Sequence, residues 1–192
     1  MSDELDILRK LHFGSVTEDE LMDIFHRYRD NYRIQMHLAM HPKFPDKFAL
    51  NIISRLHAMD LIRVIKNIRT NPFTRKKAEM EFQQKYSKFP IGEKLSYMKI
   101  APYSLMVLLI EEKDKRVVDA MLNNPYCTED LVVRFINRYS SRSIVYEALF
   151  ETEWYKRPAV AEAIAHDPEA PIRILLLILP FLNRRSLKKL YE

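Results

Sequence analysis

Cysteine, glycine and long apolar runs are all scarce in this chain. One cysteine, Cys127, in 192 residues excludes an internal disulfide, a four-thiolate zinc site and a cysteine-ligated iron–sulfur cluster, and is the usage expected of a reducing cytoplasm. Two glycines, Gly14 and Gly92, are too few for a phosphate-cradling loop. The Walker loop and the dinucleotide fingerprint each need several backbone positions without a Cβ. The longest apolar run, residues 174–182 (ILLLILPFL), contains Pro180 and falls far short of the roughly 20 residues that cross a bilayer. A buried helix is expected there instead. The opening MSDELDILRK is acidic before any apolar stretch, unlike the basic start of a secretory signal.

What is abundant is apolar residue at helical spacing. With 47% apolar residues the chain can bury a substantial core as one domain or one continuous array. The segments EDELMDIFHRY, DKFALNIISRLHAMDLIRVI and LVVRFINRY place apolar groups three and four apart, and no sustained alternation competes, so an all-α protein is expected. The net charge of +5 is uneven: residues 1–30 hold 4 bases and 8 acids, residues 31–100 hold 14 and 5, and residues 101–192 hold 13 of each.

Prolines punctuate the pattern. Aligned on Pro42, Pro125 and Pro168, the chain reads RIQMHLAMHPKFPDKFALNII, RVVDAMLNNPYCTEDLVVRFI and AVAEAIAHDPEAPIRILLLIL. Ile34, Val117 and Val160 then correspond, as do Leu38, Met121 and Ile164, one turn on along the same helix face. His41, Asn124 and Asp167 precede the prolines, where the α region is disfavoured and a helix must end. Pro45, Thr128 and Pro171 suit the opening of a second helix, as N-cap or first-turn residue. Phe48, Leu131 and Ile174, then Ile52, Phe135 and Ile178, resume the apolar stripe. A weaker fourth copy is expected through Arg63, Val64, Ile68, Asn71, Pro72, Thr74, Ala78 and Phe82, and an extra hairpin around Ala101 and Pro102. Thr17 with Glu20 reads as a capping box opening a helix that ends near Asp30.

About a dozen short helices joined by brief connections cannot bury their apolar faces singly, so stacking into a curved solenoid is expected. The helix, Asn-Pro-x-Thr/Pro turn, helix unit resembles bacterial HEAT-like repeats of the leucine-rich-repeat-variant type, over roughly residues 31–182 and most specifically in RVVDAMLNNPYCTEDLV. The resemblance implies a right-handed superhelix of antiparallel helix pairs and a binding surface with no reaction attached. One member of the variant group carries a cysteine-ligated iron–sulfur module, for which this chain lacks the cysteines. The organisation expected is a single repeat domain over residues 1–192, with capping helices at 1–30, degenerate hairpins at 31–182 and a capping helix at 183–192.

Few residues look like chemistry. Cys127 has Glu129 and Asp130 nearby, but it aligns with Phe44 and Ala170, which marks a structural position, and acidic neighbours would raise its pKa. His37 and His41 have i, i+4 spacing but lack the glutamate of a zinc-protease helix, and no metal or cofactor is expected. Trp154 and Tyr155 sit in a long junction beside Lys156 and Arg157. They either plug a gap between hairpins or serve as an aromatic anchor, and the plug is the favoured reading. With Glu151 or Glu153 in a shared groove they would suit a DNA-glycosylase-like enzyme. Arg134, Arg138 and Arg142 form one positive ridge, Arg63, Lys66 and Arg69 a second, and Arg75, Lys76 and Lys77 a cluster, together a candidate surface for an anionic partner. Arg184, Arg185, Lys188 and Lys189 add positive charge at the end. The sequence therefore points to a non-enzymatic, cytoplasmic scaffold that binds a partner protein through a concave face. Nucleic-acid binding through the basic residues 31–100 is the alternative, and a homodimer through the C-terminal hairpin is a further option.

Overall fold

The computed structural model describes residues 2–138 and 142–189, excepting the side chains of Ser2, Arg142, Arg185, Lys188 and Lys189. Secondary structure among the described residues is helical throughout, with no strand, and no helix is long and apolar enough to cross a membrane. The chain divides into two compact units, residues 1–88 and 89–192. The division falls inside the long interval between Pro72 and Pro125.

The first unit holds α1 (Ser2–Phe13), α2 (Glu18–Arg27), α3 (Tyr32–Ala39), α4 (Asp46–Ile53), α5 (Ala58–Lys66) and α6 (Pro72–Tyr86). The expected capping box opens α2: the Glu20 N–H donates to Thr17 Oγ1 at 3.3 Å and the Thr17 N–H to Glu20 Oε2 at 2.9 Å. Gly14 closes α1 with its N–H on the Lys10 carbonyl at 2.9 Å. A Cβ there would meet that carbonyl oxygen at 2.6 Å, so the position needs glycine. Helix α3 packs on α1, α2 and α4, and α6 on α4 and α5. Phe25, Phe44 and Phe48 meet ring to ring between α2 and α4.

The second unit holds α7 (Ile91–Met98), α8 (Tyr103–Leu108), α9 (Lys115–Leu122), α10 (Glu129–Arg138), α11 (Arg142–Phe150), a 3-10 turn (Trp154–Lys156), α12 (Pro158–Ala165), α13 (Ile172–Ile178), a second 3-10 turn (Leu179–Phe181) and α14 (Arg184–Lys189). The hairpin expected at Ala101-Pro102 is α7–α8. Helices two apart pack together: α7 with α9 and α9 with α11, α8 with α10 and α10 with α12. Because α11 intervenes, α12 lies beside α10, although sequence aligns it with α9.

The aligned positions do what their periodicity requires. Ile34, Val117 and Val160 are fully buried, as are Leu38, Met121 and Ile164; Ile52, Phe135 and Ile178 are buried one turn into the second helix. Each such side chain contributes roughly 1.5–3 kcal/mol by leaving water. Phe48 departs from its partners Leu131 and Ile174 in being only half-buried, since it closes the aromatic contact with Phe25.

The turns match atom for atom. The N–H two residues beyond His41, Asn124 and Asp167 donates to that residue's side chain: Lys43 to Nδ1 at 3.2 Å, Tyr126 to Oδ1 at 2.7 Å, Glu169 to Oδ1 at 3.0 Å. The next N–H, from Phe44, Cys127 or Ala170, closes on the backbone carbonyl of the same residue at 3.1, 2.9 and 3.1 Å. Pro45 and Pro171 occupy the N-cap itself, and Thr128 does the same for α10 by accepting the Leu131 N–H at 3.4 Å. The fourth copy differs in register. Its turn residue is Asn67, whose Oδ1 accepts the Arg69 N–H at 3.0 Å and whose carbonyl accepts the Thr70 N–H at 3.1 Å. Ile68 therefore stands in the proline slot, and Asn71 is the N-cap of α6 with Pro72 at its first turn. Aligning Pro72 with Pro125 misplaces the copy by one helical turn.

Candidate functional site

Asn124 anchors the turn around Cys127. Buried beneath the turn, its Nδ2 donates to the Met98 carbonyl at 2.5 Å and the Ala101 carbonyl at 3.0 Å, stitching the turn to the end of the preceding hairpin. Burial pushes the Cys127 thiol up to about 12, so almost no thiolate exists near neutrality. The cause is loss of water, and not the acidic neighbours that the sequence suggested.

His37 and His41 lie with His12 and Arg69 along a cavity of about 320 Å³. His12 and His37 meet edge to face at 6.4 Å. Burial, reinforced by His12 and Arg33, lowers the His37 pKa, and burial with Arg69 and Lys43 lowers that of His41. Among the described residues no group of three His, Cys, Asp or Glu side chains is disposed to hold a metal ion.

The junction after α11 gathers several of the sequence candidates. Trp154, Glu151, Glu153, Lys156 and Arg157 line one open cavity of about 570 Å³ together with Thr152 and Asn123. The stretch lies between α11 and α12 because Pro158 starts α12 at its first turn, leaving residues 151–157 to bridge the gap. Half-buried Trp154 donates its Nε1–H to the Leu122 carbonyl at 2.9 Å. That satisfies a helix-end acceptor of α9 and fixes the indole in the gap, so plugging and lining the cavity are the same act. Tyr155 turns elsewhere, edge to face on Phe181 at 6.2 Å. Glu151 pairs with Lys115 at 3.0 Å, and Lys156 pairs with Glu153, holding that carboxyl below its usual range. A carboxylate held ionised by a neighbouring lysine is a poor proton donor.

The positive ridges are partly neutralised by their own helices. Arg63 pairs with Asp60 at 2.8 Å, Lys76 with Glu79 at 3.0 Å and Arg134 with Asp130 at 2.8 Å. Asp130 also accepts from the Tyr103 hydroxyl, and its carboxyl is lowered by Arg134 first and Tyr103 second. Arg69 donates to the His12 carbonyl at 3.3 Å. Lys66 is exposed, Arg75 and Lys77 are half-buried and Arg138 is exposed. The side chain of Arg142 lies outside the described residues, as do those of Arg185, Lys188 and Lys189.

Most exceptional is α13. Ile172, Leu176 and Leu179 follow one face at i, i+4 and i+7 and are 76%, 63% and 40% exposed, with Leu177 beside them. Their matched positions in α10 hold Glu129, Val133 and Ile136, with Arg134 where Leu177 stands. Residues 174–182 are therefore not the wholly buried helix their hydropathy suggests: Ile174, Ile178 and Leu182 are buried, Leu175 and Phe181 half-buried, and Leu176, Leu177, Leu179 and Pro180 exposed. Comparison of the copies gives a partial signal, since Glu129 and Arg134 mark two of these positions as outward while Val133 and Ile136 mark nothing. Compared with known protein families, curated proteins and solved structures, the chain matches none.

Proposed function

We propose that this chain is a non-enzymatic interaction module, a HEAT-like array of helix pairs that takes a partner protein on an inner face to which α13 contributes. The observation that supports it most is the exposed apolar stripe of Ile172, Leu176, Leu177 and Leu179, where the matched positions of α10 hold charged Glu129 and Arg134 besides apolar Val133 and Ile136. Exposed, contiguous aliphatic surface costs solubility unless it is covered, and it is the usual core of a protein contact. The candidate catalytic groups add nothing against this reading, since Cys127 is held as a thiol and Glu153 as a paired carboxylate.

The test is substitution-dependent capture. The native chain should retain one discrete protein in constant ratio, and Leu176→Glu should lose it while Arg138→Glu keeps it. Light scattering of the purified chain separates a second copy from a different protein: a dimer dissolved by Leu176→Glu identifies this chain as its own partner. A monomer that captures nothing sinks the reading.

Nucleic-acid binding draws on the excess of 14 bases over 5 acids in residues 31–100. The ion pairs at Arg63 and Lys76 remove part of that charge from use. Phosphate contacts would make affinity fall steeply with salt, and weak binding with a flat salt dependence would eliminate this alternative.

A further inference from the structure

In the first unit, His37 and His41 are joined by basic groups from two other segments of the chain. His12, near the end of α1, and Arg69, in the turn after α5, line the same cavity of about 320 Å³, as does Asn67. The rest of the lining is Leu11, Met40 and Pro42, so no carboxylate faces the cavity. Its volume stands at the lower end of the roughly 300–1,000 Å³ typical of small-ligand sites.

His12 and Arg69 are exposed and His37 is half-buried, so all three present surface to a ligand. The rings of His12 and His37 lie 6.4 Å apart between centroids, and Arg69 Nη1 donates to the His12 carbonyl at 3.3 Å, which puts the three groups within the span of one small anion. Unlike Arg63 and Arg134, Arg69 makes no ion pair with a described residue. The charges that act on His37 are His12 of α1, Arg33 of α3 and Arg63 of α5, and those that act on His41 are Arg69 and Lys43. None is a carboxylate. Glu4 and Asp60, which pair with Arg33 at 3.9 Å and Arg63 at 2.8 Å, do not line the cavity. A half-buried set of N–H donors in a field of one sign, with an unpaired guanidinium among them, calls for an anion. The donors come from three separate segments, which suits the three acceptor oxygens of a phosphate. The two coplanar oxygens of a carboxylate are matched by a single guanidinium fork.

We propose that this cavity binds a phosphate group, with its oxygens on Arg69, His12 and His37. The source is either free inorganic phosphate or the phosphate ester of a small organic molecule, whose remainder lies against Met40 and Pro42. The site belongs to the first unit and stands independently of the α13 reading.

Titration of the isotope-labelled full chain with inorganic phosphate, phenyl phosphate, sulfate and acetate at constant ionic strength, followed by the imidazole NMR shifts, tests it. Phosphate or phenyl phosphate should move the His12 and His37 rings saturably, and acetate should bind at least about fivefold more weakly. Phenyl phosphate binding more tightly than inorganic phosphate assigns an ester, and equal or weaker binding assigns the free anion. Arg69→Gln keeps a donor for the His12 carbonyl while removing the charge, so unchanged melting with affinity reduced about tenfold or more is expected. Sulfate isolates the histidines, because it stays doubly charged where phosphate, with its second pKa near ~6, does not. An anion beside His37 favours its protonated form, so sulfate affinity should rise by about threefold or more between about pH 7.5 and 6. No saturable shift with either phosphate at about 10 mM, where binding far weaker than typical ligand affinities is still visible, overturns the proposal. Acetate binding as tightly as phosphate, unaltered affinity in Arg69→Gln, or a sulfate affinity that ignores pH overturns it as well.

Discussion

The turn at Asn124 and the turn at Asn67 close with the same two hydrogen bonds, yet only one contains the proline that made the repeat visible. At both, the side-chain oxygen accepts the N–H two residues on and the backbone carbonyl accepts the next. The difference is in anchorage. Asn124 is buried and donates to two carbonyls of the preceding hairpin, whereas half-exposed Asn67 makes no such donation and leaves the cross-hairpin bond to Thr70, whose hydroxyl donates to the Met40 carbonyl at 3.2 Å. Proline is thus a compatible occupant of the turn. The side-chain acceptor is the component common to all four copies, and the stitch to the neighbouring hairpin can move between residues.

Removing the acceptor from each turn gives the largest contrast. Asn124→Ala loses one accepted and two donated hydrogen bonds and strands buried carbonyls, costing about 3 kcal/mol or more. Asn67→Ala loses a single accepted bond at a wetter site and should cost about 1 kcal/mol. Urea denaturation of both variants measures the gap, and equal losses would show that the Met98 and Ala101 stitches contribute nothing.

Acidity provides the next contrast, because only the His41 turn uses an acceptor that titrates near neutrality. Protonated His41 cannot accept the Lys43 N–H through Nδ1. The pKa values of His41 and His37 are both lowered in the folded chain, by burial first, so between those values and the unfolded value near 6.5 the unfolded chain binds more protons. Their contribution is complete above about pH 6.5 and is lost as the pH falls toward the folded values. The urea midpoint should drop between pH 7.5 and 5.5, and His41→Asn, which installs the acceptor of the Asn124 turn, should flatten that dependence. A midpoint equally steep in His41→Asn would assign the effect to other groups.

Capping gives a smaller effect. Thr128→Ala removes the side-chain acceptor for the Leu131 N–H and should cost about 1 kcal/mol. The matched Pro45 and Pro171 offer no side-chain bond at all, and a Thr128→Pro variant should therefore lose less than Thr128→Ala. The reverse ranking would show that the hydroxyl, and not the extended backbone at the N-cap, opens α10.

How much of this was readable in the chain follows from which interactions are local. Ile34, Leu38, Val117 and Met121 reveal their burial through spacing alone, and Thr17 with Glu20 declare their cap, because both patterns span a single turn of helix. The fourth copy was misaligned because sequence marks the proline while the structure repeats the acceptor, and Asn67-Ile68 looks like nothing in particular. Hydropathy hid α13 as well: leucines that face out and leucines that face in are the same letters, and only the neighbouring helices decide between them. The cavity lined by Arg29, Asp30, Gln35 and Arg55 had no local sign, since the segments that follow α2 and α4 meet α3 there only once those helices have packed. The cavity with Trp154 was half legible, as a long junction with an aromatic, but the carbonyl of Leu122 that fixes the indole lies 32 residues away.

The smallest predicted effect tests the central point of the comparison most directly. If proline is merely compatible with the turn, Ile68→Pro should fold without penalty. Asn67 has φ −78° and ψ 107°, an extended conformation that a following proline favours, and the Ile68 N–H donates to no backbone acceptor outside the helices. Ile68 is 86% exposed, so its side chain forfeits little packing. Restricting the unfolded chain should then stabilise the protein by roughly 0.4–1 kcal/mol, raising the urea midpoint without changing the slope. A loss of stability would mean that the Asn67 turn only imitates its siblings in hydrogen bonding and differs from them in backbone conformation at Ile68. Those four turns would then be a shared chemical solution reached in two geometries and not one repeated unit.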